Sequence, residues 1–315
     1  MHLWNRCTRM LACLGLVALA APVYASAPMA GTQAPGFYRL MLGHDEITAL
    51  SDATGPSRTD RLMSDPAKAL AVLKADHEGS PVISSVNAFL VNTGKHLILI
   101  DTGTGGNLLN NLRASGYAPD QIDAVLITHM HSDHIGGLSK DGHAVFPNAT
   151  VYINRRDTSY WLSKAEQARH PERRSAFEAA RRLLAPYEKS GRLHPFDGAA
   201  QLFPGIRTVP AYGHTPGHTA YMIESQGQKL LAWGDIVHLG EVQFPHPDMT
   251  ISYDSNPAAA AVTRKRLMAQ AASQGYLVAG AHIAFPGIGH VRAKDHGYAW
   301  IPLRYNASVK TEATP

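Results

Sequence analysis

Cysteine is almost missing from this chain of 315 residues: there are two, Cys7 and Cys13, both near its start. Everything after Cys13 has neither a disulfide to staple it nor a thiolate to offer a metal. Charge is sparse as well, with 17% Asp, Glu, Lys and Arg and a formal net charge of +4, so there is no broad basic surface of the kind nucleic acid requires. The densest basic stretch, His170 to Arg182, mixes Glu172 and Glu178 with its arginines at helical spacing and reads as a solvated helix face. The apolar run Met10 to Val23 falls short of the ~20 residues that a membrane-spanning helix needs. No long linker or internal repeat divides the chain, and a hydrophobic fraction of 45% is far from a disordered composition.

Residues 1–27 read as a secretory signal peptide. Arg6 and Arg9 precede the apolar run, and Val23-Tyr24-Ala25 or Ala25-Ser26-Ala27 offers a small-residue cleavage site. Cys13 stands at the beginning of the apolar run rather than at its end, so a lipid anchor is not expected. Removal of this segment is expected to leave 28–315 as a single domain, periplasmic or secreted, with no stable membrane anchor. Without cysteine, its stability in an oxidising setting would rest on core burial and bound metal.

The most telling stretch is His129-Met130-His131-Ser132-Asp133-His134, directly after the apolar run Ala124-Val125-Leu126-Ile127-Thr128. In an extended or turning segment His129 and His131, two apart, reach the same side, while Asp133 and His134 turn toward a second position. That arrangement suits two cations side by side. Imidazole and carboxylate without thiolate favour two divalent ions, Zn2+ first, with Mn2+, Co2+ or Fe2+ also compatible. Three later segments place further ligands just past apolar strands: Gly213-His214-Thr215-Pro216-Gly217-His218, Trp233-Gly234-Asp235 and Gly280-Ala281-His282. Strand ends hold side chains rigidly while the loops beyond stay open to substrate.

These motifs together resemble the metallo-β-lactamase superfamily of dinuclear metallohydrolases. Within it, Phe37 to Gly43, Ser85 to Gly94, Glu224 to Leu230 and Ala281 to His290 resemble secreted methyl parathion hydrolase-like enzymes. The resemblance implies that His129, His131 and His214 hold one metal, that Asp133, His134 and His282 hold the other, and that Asp235 bridges them. It places His218 behind the ligands as an orienting group. Asp101 would be a carboxylate with a similar task, although by residue type it reads equally well as a turn-forming Asp after a strand.

The resemblance also implies a mechanism. Two cations about 3.5 to 4 Å apart would share a water as hydroxide, directed by Asp235 at the carbonyl or phosphoryl centre of an ester, lactone or phosphotriester. A homoserine lactonase of the quorum-quenching type is one alternative, and a mononuclear iron oxidoreductase of the same fold is another. Trp161, Phe177, Phe244 and Tyr253 are candidate aromatics of the substrate pocket. His238, three residues past Asp235, replaces an apolar residue of the organophosphate enzymes and stands where lactonases often carry Tyr. It is either a catalytic donor to a carbonyl or a polar rim residue without a role. The expected partner is a small-molecule substrate, with no nucleic acid and with a homodimer allowed.

Apolar periodicity predicts strands near 37–42, 46–50, 87–92, 96–101, 124–128, 150–154, 206–210, 219–224, 229–233 and 277–279. Helices are predicted at 107–115, 175–189 and 257–273, the last with Asn256 as N-cap, Pro257 in the first turn and Gly275 beyond the end. Sheets covered by helices follow from that alternation. A four-layer αββα sandwich is what the family resemblance adds.

Overall fold

Two seven-stranded sheets carry the fold of the computed structural model, which describes residues 27–309. The expected signal peptide lies outside the described residues except for its last position. The first sheet contains β1 (Phe37–Leu42), β2 (Asp45–Ser57), β3 (Val82–Asn92), β4 (Leu97–Ile100) and β5 (Ala124–Leu126), then, after a small hairpin of β6 (Ser139–Lys140) and β7 (His143–Ala144), β8 (Thr150–Asn154) and β9 (Leu193–Phe196). β1 to β4 form an antiparallel meander, and β4, β5, β8 and β9 run parallel.

The second sheet is built from β10 (Gln201–Phe203), β11 (Ile206–Pro210), β12 (Thr219–Ser225), β13 (Gln228–Ala232), β14 (Leu277–Ala279), β15 (Ile288–Lys294) and β16 (Gly297–Pro302), with one parallel pair, β13 and β14. Each parallel step needs a crossover, and these crossovers supply the helices. They include α2 (Leu108–Ala114), α3 (Ser132–Ile135), α4 (Arg155–Trp161), α5 (Lys164–Arg169), α6 (Arg174–Lys189) and α8 (Pro257–Gln274). Two more helices, α1 (Pro66–Ala75) and α7 (Gly240–Gln243), pack together through Leu73, Val242 and their neighbours.

Three apolar clusters define the layers. Ile47, Phe89, Ile98 and Leu126 from the first sheet meet Tyr221, Ile223, Leu230 and Ile288 from the second. Leu90, Leu99 and Val151 on the outer face of the first sheet meet Leu112, Phe177 and Leu184 of α2 and α6. On the far side, Met222, Leu231 and Val278 meet Leu267, Met268 and Ala271 of α8. The order is therefore helix, sheet, sheet, helix, the expected αββα sandwich.

α8 shows local sequence setting an element's limits. Asn256 accepts a hydrogen bond from the Ala259 N–H at 3.1 Å, Pro257 occupies the first turn, and Gly275 ends the helix at φ 69°. The predicted strand at 46–50 is longer in the structure: β2 runs on to Ser57 through a register shift between Ser51 and Ala53. The strands β9, β10, β15 and β16 and the helix α1 were not predicted.

Candidate metal centre

The ligands gather where strands of both sheets end. The chain leaves β5, stays extended through His131 (φ −71°, ψ 156°), and then winds into the single turn of α3, which carries Asp133 and His134 to a different side. The segments after β11, β13 and β14 bring in His214, Asp235 and His282. Asp235 depends on the glycine before it: Gly234 has φ +58°, and a Cβ there would lie 2.6 Å from His218 Nε2.

Two sets of donors result. One ligand atom from each of His129, His131, His214 and Asp235 lies within 4.8 Å of the others, and the same holds for Asp133, His134, Asp235 and His282. Asp235 is common to both. Its Oδ2 is 3.2 Å from Nε2 of both His214 and His282 and 3.5 Å from His129 Nε2, while Oδ1 is 3.1 Å from His134 Nε2. His129 Nε2, His134 Nε2 and Asp235 Oδ1 are buried without a hydrogen-bond partner. Buried polar atoms without partners are costly, and divalent cations between these nitrogens and oxygens would satisfy them. The donor chemistry and the orphaned atoms both fit a metal-binding cluster.

The other ring nitrogens are tied down, which fixes which one faces inward. His134 Nδ1 donates to Asp101 Oδ2 at 2.8 Å, His214 Nδ1 to Asp254 Oδ1 at 2.9 Å, and His282 Nδ1 to the Ser85 carbonyl at 2.9 Å. The Thr128 hydroxyl donates to Asp101 Oδ2 at 2.7 Å and lies 3.1 Å from His129 Nδ1, from which it can accept. Asp101 also accepts from the Thr128 N–H at 2.8 Å and adopts φ 61°, so it is at once the turn residue and the carboxylate behind His134. His218 has no nitrogen to spare for a cation. Its Nδ1 donates to the Ala211 carbonyl at 2.9 Å, and its Nε2 accepts from the Asp235 backbone N–H at 3.1 Å, so it orients Asp235.

Burial opposes charge on every imidazole of the cluster, and the carboxylates decide which ones keep a proton. Burial and the His134 charge push His129 well below its ordinary pKa, and burial with the His214 charge does the same to His131. At His134 burial is outweighed by Asp235, Asp133 and Asp101, which lift it well above 6.5. Asp235 and Asp254 raise His214 against burial, while Asp235 and Asp133 raise His282 to about 10. Asp235 itself is held far below the carboxylate range by His134 and His282 despite its burial.

Above the cluster opens a cavity of about 630 Å³, reached by His131, Asp133, Asp235, His238 and His282. Trp161 lines it with its ring 5.5 Å from that of His131, and half-exposed Tyr253 lines the opposite rim. Two expectations for the pocket need correction. Phe177 is fully buried on α6 behind Trp161, with ring centroids 5.0 Å apart, because the apolar stripe of an amphipathic helix turns to the core. Phe244 is buried, stacks on Trp300 at 5.3 Å and lines an adjoining groove of about 1450 Å³ that shares Ser84, His238 and His282 with the cavity.

His238 is not a rim residue. It is buried and stacked on His282 at 5.1 Å, with Nε2 3.1 Å from Asp235 Oδ2 and neither ring nitrogen hydrogen-bonded. Burial drives its pKa down to about 4. Arg173, expected on a solvated helix face, lines the cavity just before α6 begins.

Sequence reasoning missed several groups that hold this centre. Asp157 accepts from the Met130 N–H at 3.0 Å, the Thr215 hydroxyl at 2.9 Å and the Gly217 N–H at 2.6 Å, bolting one histidine segment to the other, and burial raises its carboxyl to about 6. Asn87 on β3 donates to the carbonyls of Gly280 and Ile283, on either side of His282. Asp254 lies 40 positions from His214, and no spacing signal links the two. The one cue was its place beside Tyr253, already a pocket candidate.

A family model described as Metallo-beta-lactamase superfamily matches residues 82–282, which include both donor sets. The crystal structure of the hydrolase AbOPH in the beta lactamase superfamily is similar with a TM-score of 0.84 and 38% identity, covering 87% of this chain and 100% of that one. AidC, described as a dizinc quorum-quenching lactonase in complex with a product, is similar with a TM-score of 0.80 and 28% identity over 86% of this chain and 98% of its own. The uncharacterized protein YobT of Bacillus subtilis (strain 168) is 25% identical over 173 residues, 53% of this chain and 71% of YobT.

Proposed function

The chain belongs to the metallo-beta-lactamase superfamily, and on that premise we propose that it is an exported, dinuclear, zinc-dependent hydrolase that opens lactones and cleaves related carboxylic esters. The observation that carries this reading is the sharing of Asp235 by two complete donor sets beneath one cavity. When bound, a pair of divalent ions supplies Lewis acidity toward the substrate's oxygen and lowers the pKa of the attacking water.

The protein's own groups do the rest. Asp235, steered by the His218 imidazole on its backbone N–H, presents Oδ2 to His214 and His282 and Oδ1 to His134, so that one carboxylate serves both donor sets. His238, neutral at physiological pH because of its burial, offers one N–H to the substrate's carbonyl. Trp161 closes one side of the cavity and keeps bulk water from that edge.

Carbonyl substrates are favoured over phosphotriesters by the character of the cavity. With Phe177 and Phe244 withdrawn, its aromatic lining reduces to Trp161 and Tyr253, and Ser57, Thr59, Ser84, Ser132 and Ser252 line the same space. Hydroxyls pair with carbonyl and amide groups, whereas aryl phosphotriesters present mostly apolar surface. The similarity to AidC over nearly its whole length supports the same choice.

A panel of homoserine lactones, aryl esters, phosphotriesters and a β-lactam, run on metal-reconstituted protein, tests the reading. Lactones should turn over fastest, and a chelator should abolish the activity. Faster phosphotriester turnover would replace the substrate class, and one iron per chain in place of two zinc-like ions would favour the oxidoreductase alternative.

A further inference from the structure

Behind the three-histidine donor set lies a charged side chain that no ligand motif contains. Arg264, in the middle of α8, is 1% exposed. Its Nε donates to the Ile236 carbonyl at 2.6 Å, and its Nη1 donates to the carbonyls of Pro247 at 3.1 Å and Met249 at 2.8 Å. Nη2 lies 3.9 Å from Asp254 Oδ2. Asp254 accepts from the Ile251 N–H at 3.1 Å through Oδ2, and from His214 Nδ1 at 2.9 Å through Oδ1. A single guanidinium thus hydrogen-bonds the residue after Asp235 and the loop leading to Tyr253, and sets a charge beside the carboxylate behind His214.

A buried arginine is expensive to desolvate, and carbonyl anchoring alone could be supplied by a neutral donor. What a neutral donor lacks is a charge beside Asp254. A positive charge there holds the carboxylate in place, and an acceptor fixed on Nδ1 holds His214 in the orientation that turns Nε2 toward the cluster. The second donor set is backed differently: Asp101 behind His134 is held by the Thr128 N–H and hydroxyl, and no arginine or lysine pairs with it among the described residues.

We propose that Arg264 is a positioning residue that acts through Asp254 on His214 and thereby sets the metal affinity of the three-histidine set. The proposal rests on the reading of the cluster as a two-metal centre. Zinc affinities of the folded full chain, measured by competition with a chromophoric chelator, test it without reference to turnover. Arg264→Met and Asp254→Asn should each weaken one of the two zinc equivalents by about 10- to 100-fold and leave the other within a factor of about two. Because both act on one imidazole, the double variant should bind that zinc no more weakly than Asp254→Asn alone. Arg264→Lys, which keeps the charge but loses the planar fork, should restore part of the loss and serves in place of Arg264→Met if that variant does not fold.

Unchanged zinc affinity in either single variant overturns the proposal. Additive losses in the double variant, or equal weakening of both equivalents, also overturn it, because they mark Arg264 as a general support of the fold. Wild-type protein that binds no zinc would instead overturn the two-metal reading itself.

Discussion

The two donor sets share Asp235 and little else. One consists of three imidazoles drawn from both sheets, His129 and His131 after β5 and His214 after β11. The other replaces one imidazole with the carboxylate of Asp133, and two of its members come from the single turn of α3. Carboxylate adds negative charge and hardness, so the second set attracts protons as well as metal. The shifts of the imidazoles show this. Both histidines of the second set are raised, whereas in the first set His214 is raised but His129 and His131 are lowered. Without metal, the centre is asymmetric in protons before it is asymmetric in anything else.

Erasing the shared group should remove the distinction altogether. Asp235→Asn takes from both sets the negative charge they share and replaces one of the two carboxylate oxygens by an NH2 that cannot ligate, so zinc content should fall at both positions and turnover should drop to background. Retention of one full equivalent with measurable activity would show that the sets are independent.

Acid should separate the sets rather than erase them. Zinc must displace a proton from each raised imidazole, so loading at pH 8 should release protons to a pH indicator. On acidification the second set should empty first, and activity should fall below about pH 6. The sign reverses for the metal-free fold. His282, raised to about 10, stabilises it fully below about pH 6.5, and that contribution is lost as pH rises through 10. Melting temperatures of the metal-free protein should therefore decline between pH 7 and 10 more steeply than those of the loaded protein. Parallel profiles would remove the proton asymmetry.

His238→Phe should have the smallest effect, because His238 packs against Asp235, His214 and His282 without being a member of either set. Lactone turnover should slow by about tenfold, roughly the worth of one hydrogen bond, with zinc content unchanged. Unaltered kinetics would reduce His238 to packing.

The parts of this centre legible in the sequence are those where chemistry dictates residue type at a strand's end. His129, Asp235 and His282 each follow an apolar run; the runs imply only sheets covered by helices, and the αββα order came from the family resemblance. Short or half-polar strands gave no such signal: β10 has three residues, and exposed Arg292 and Lys294 break the apolar pattern of β15. The Asp65 cap and Pro66 of α1 were present but went unread. Aromatic residues misled because type does not reveal direction, and Phe177 turned with the apolar face of α6. Least visible were Asp157, Asp254 and Arg264, whose roles exist only through contacts between segments far apart in the chain.

His129 follows a strand of the first sheet and His282 a strand of the second, yet both stand within 3.5 Å of Asp235 Oδ2. Ions held there would join the halves of the sandwich as a cross-link does, closing a loop of more than a hundred residues in a part of the chain that has no cysteine to close it covalently. A chelator added to this protein would then act on two things at once, removing the chemistry of the site and unfastening the two sheets from each other.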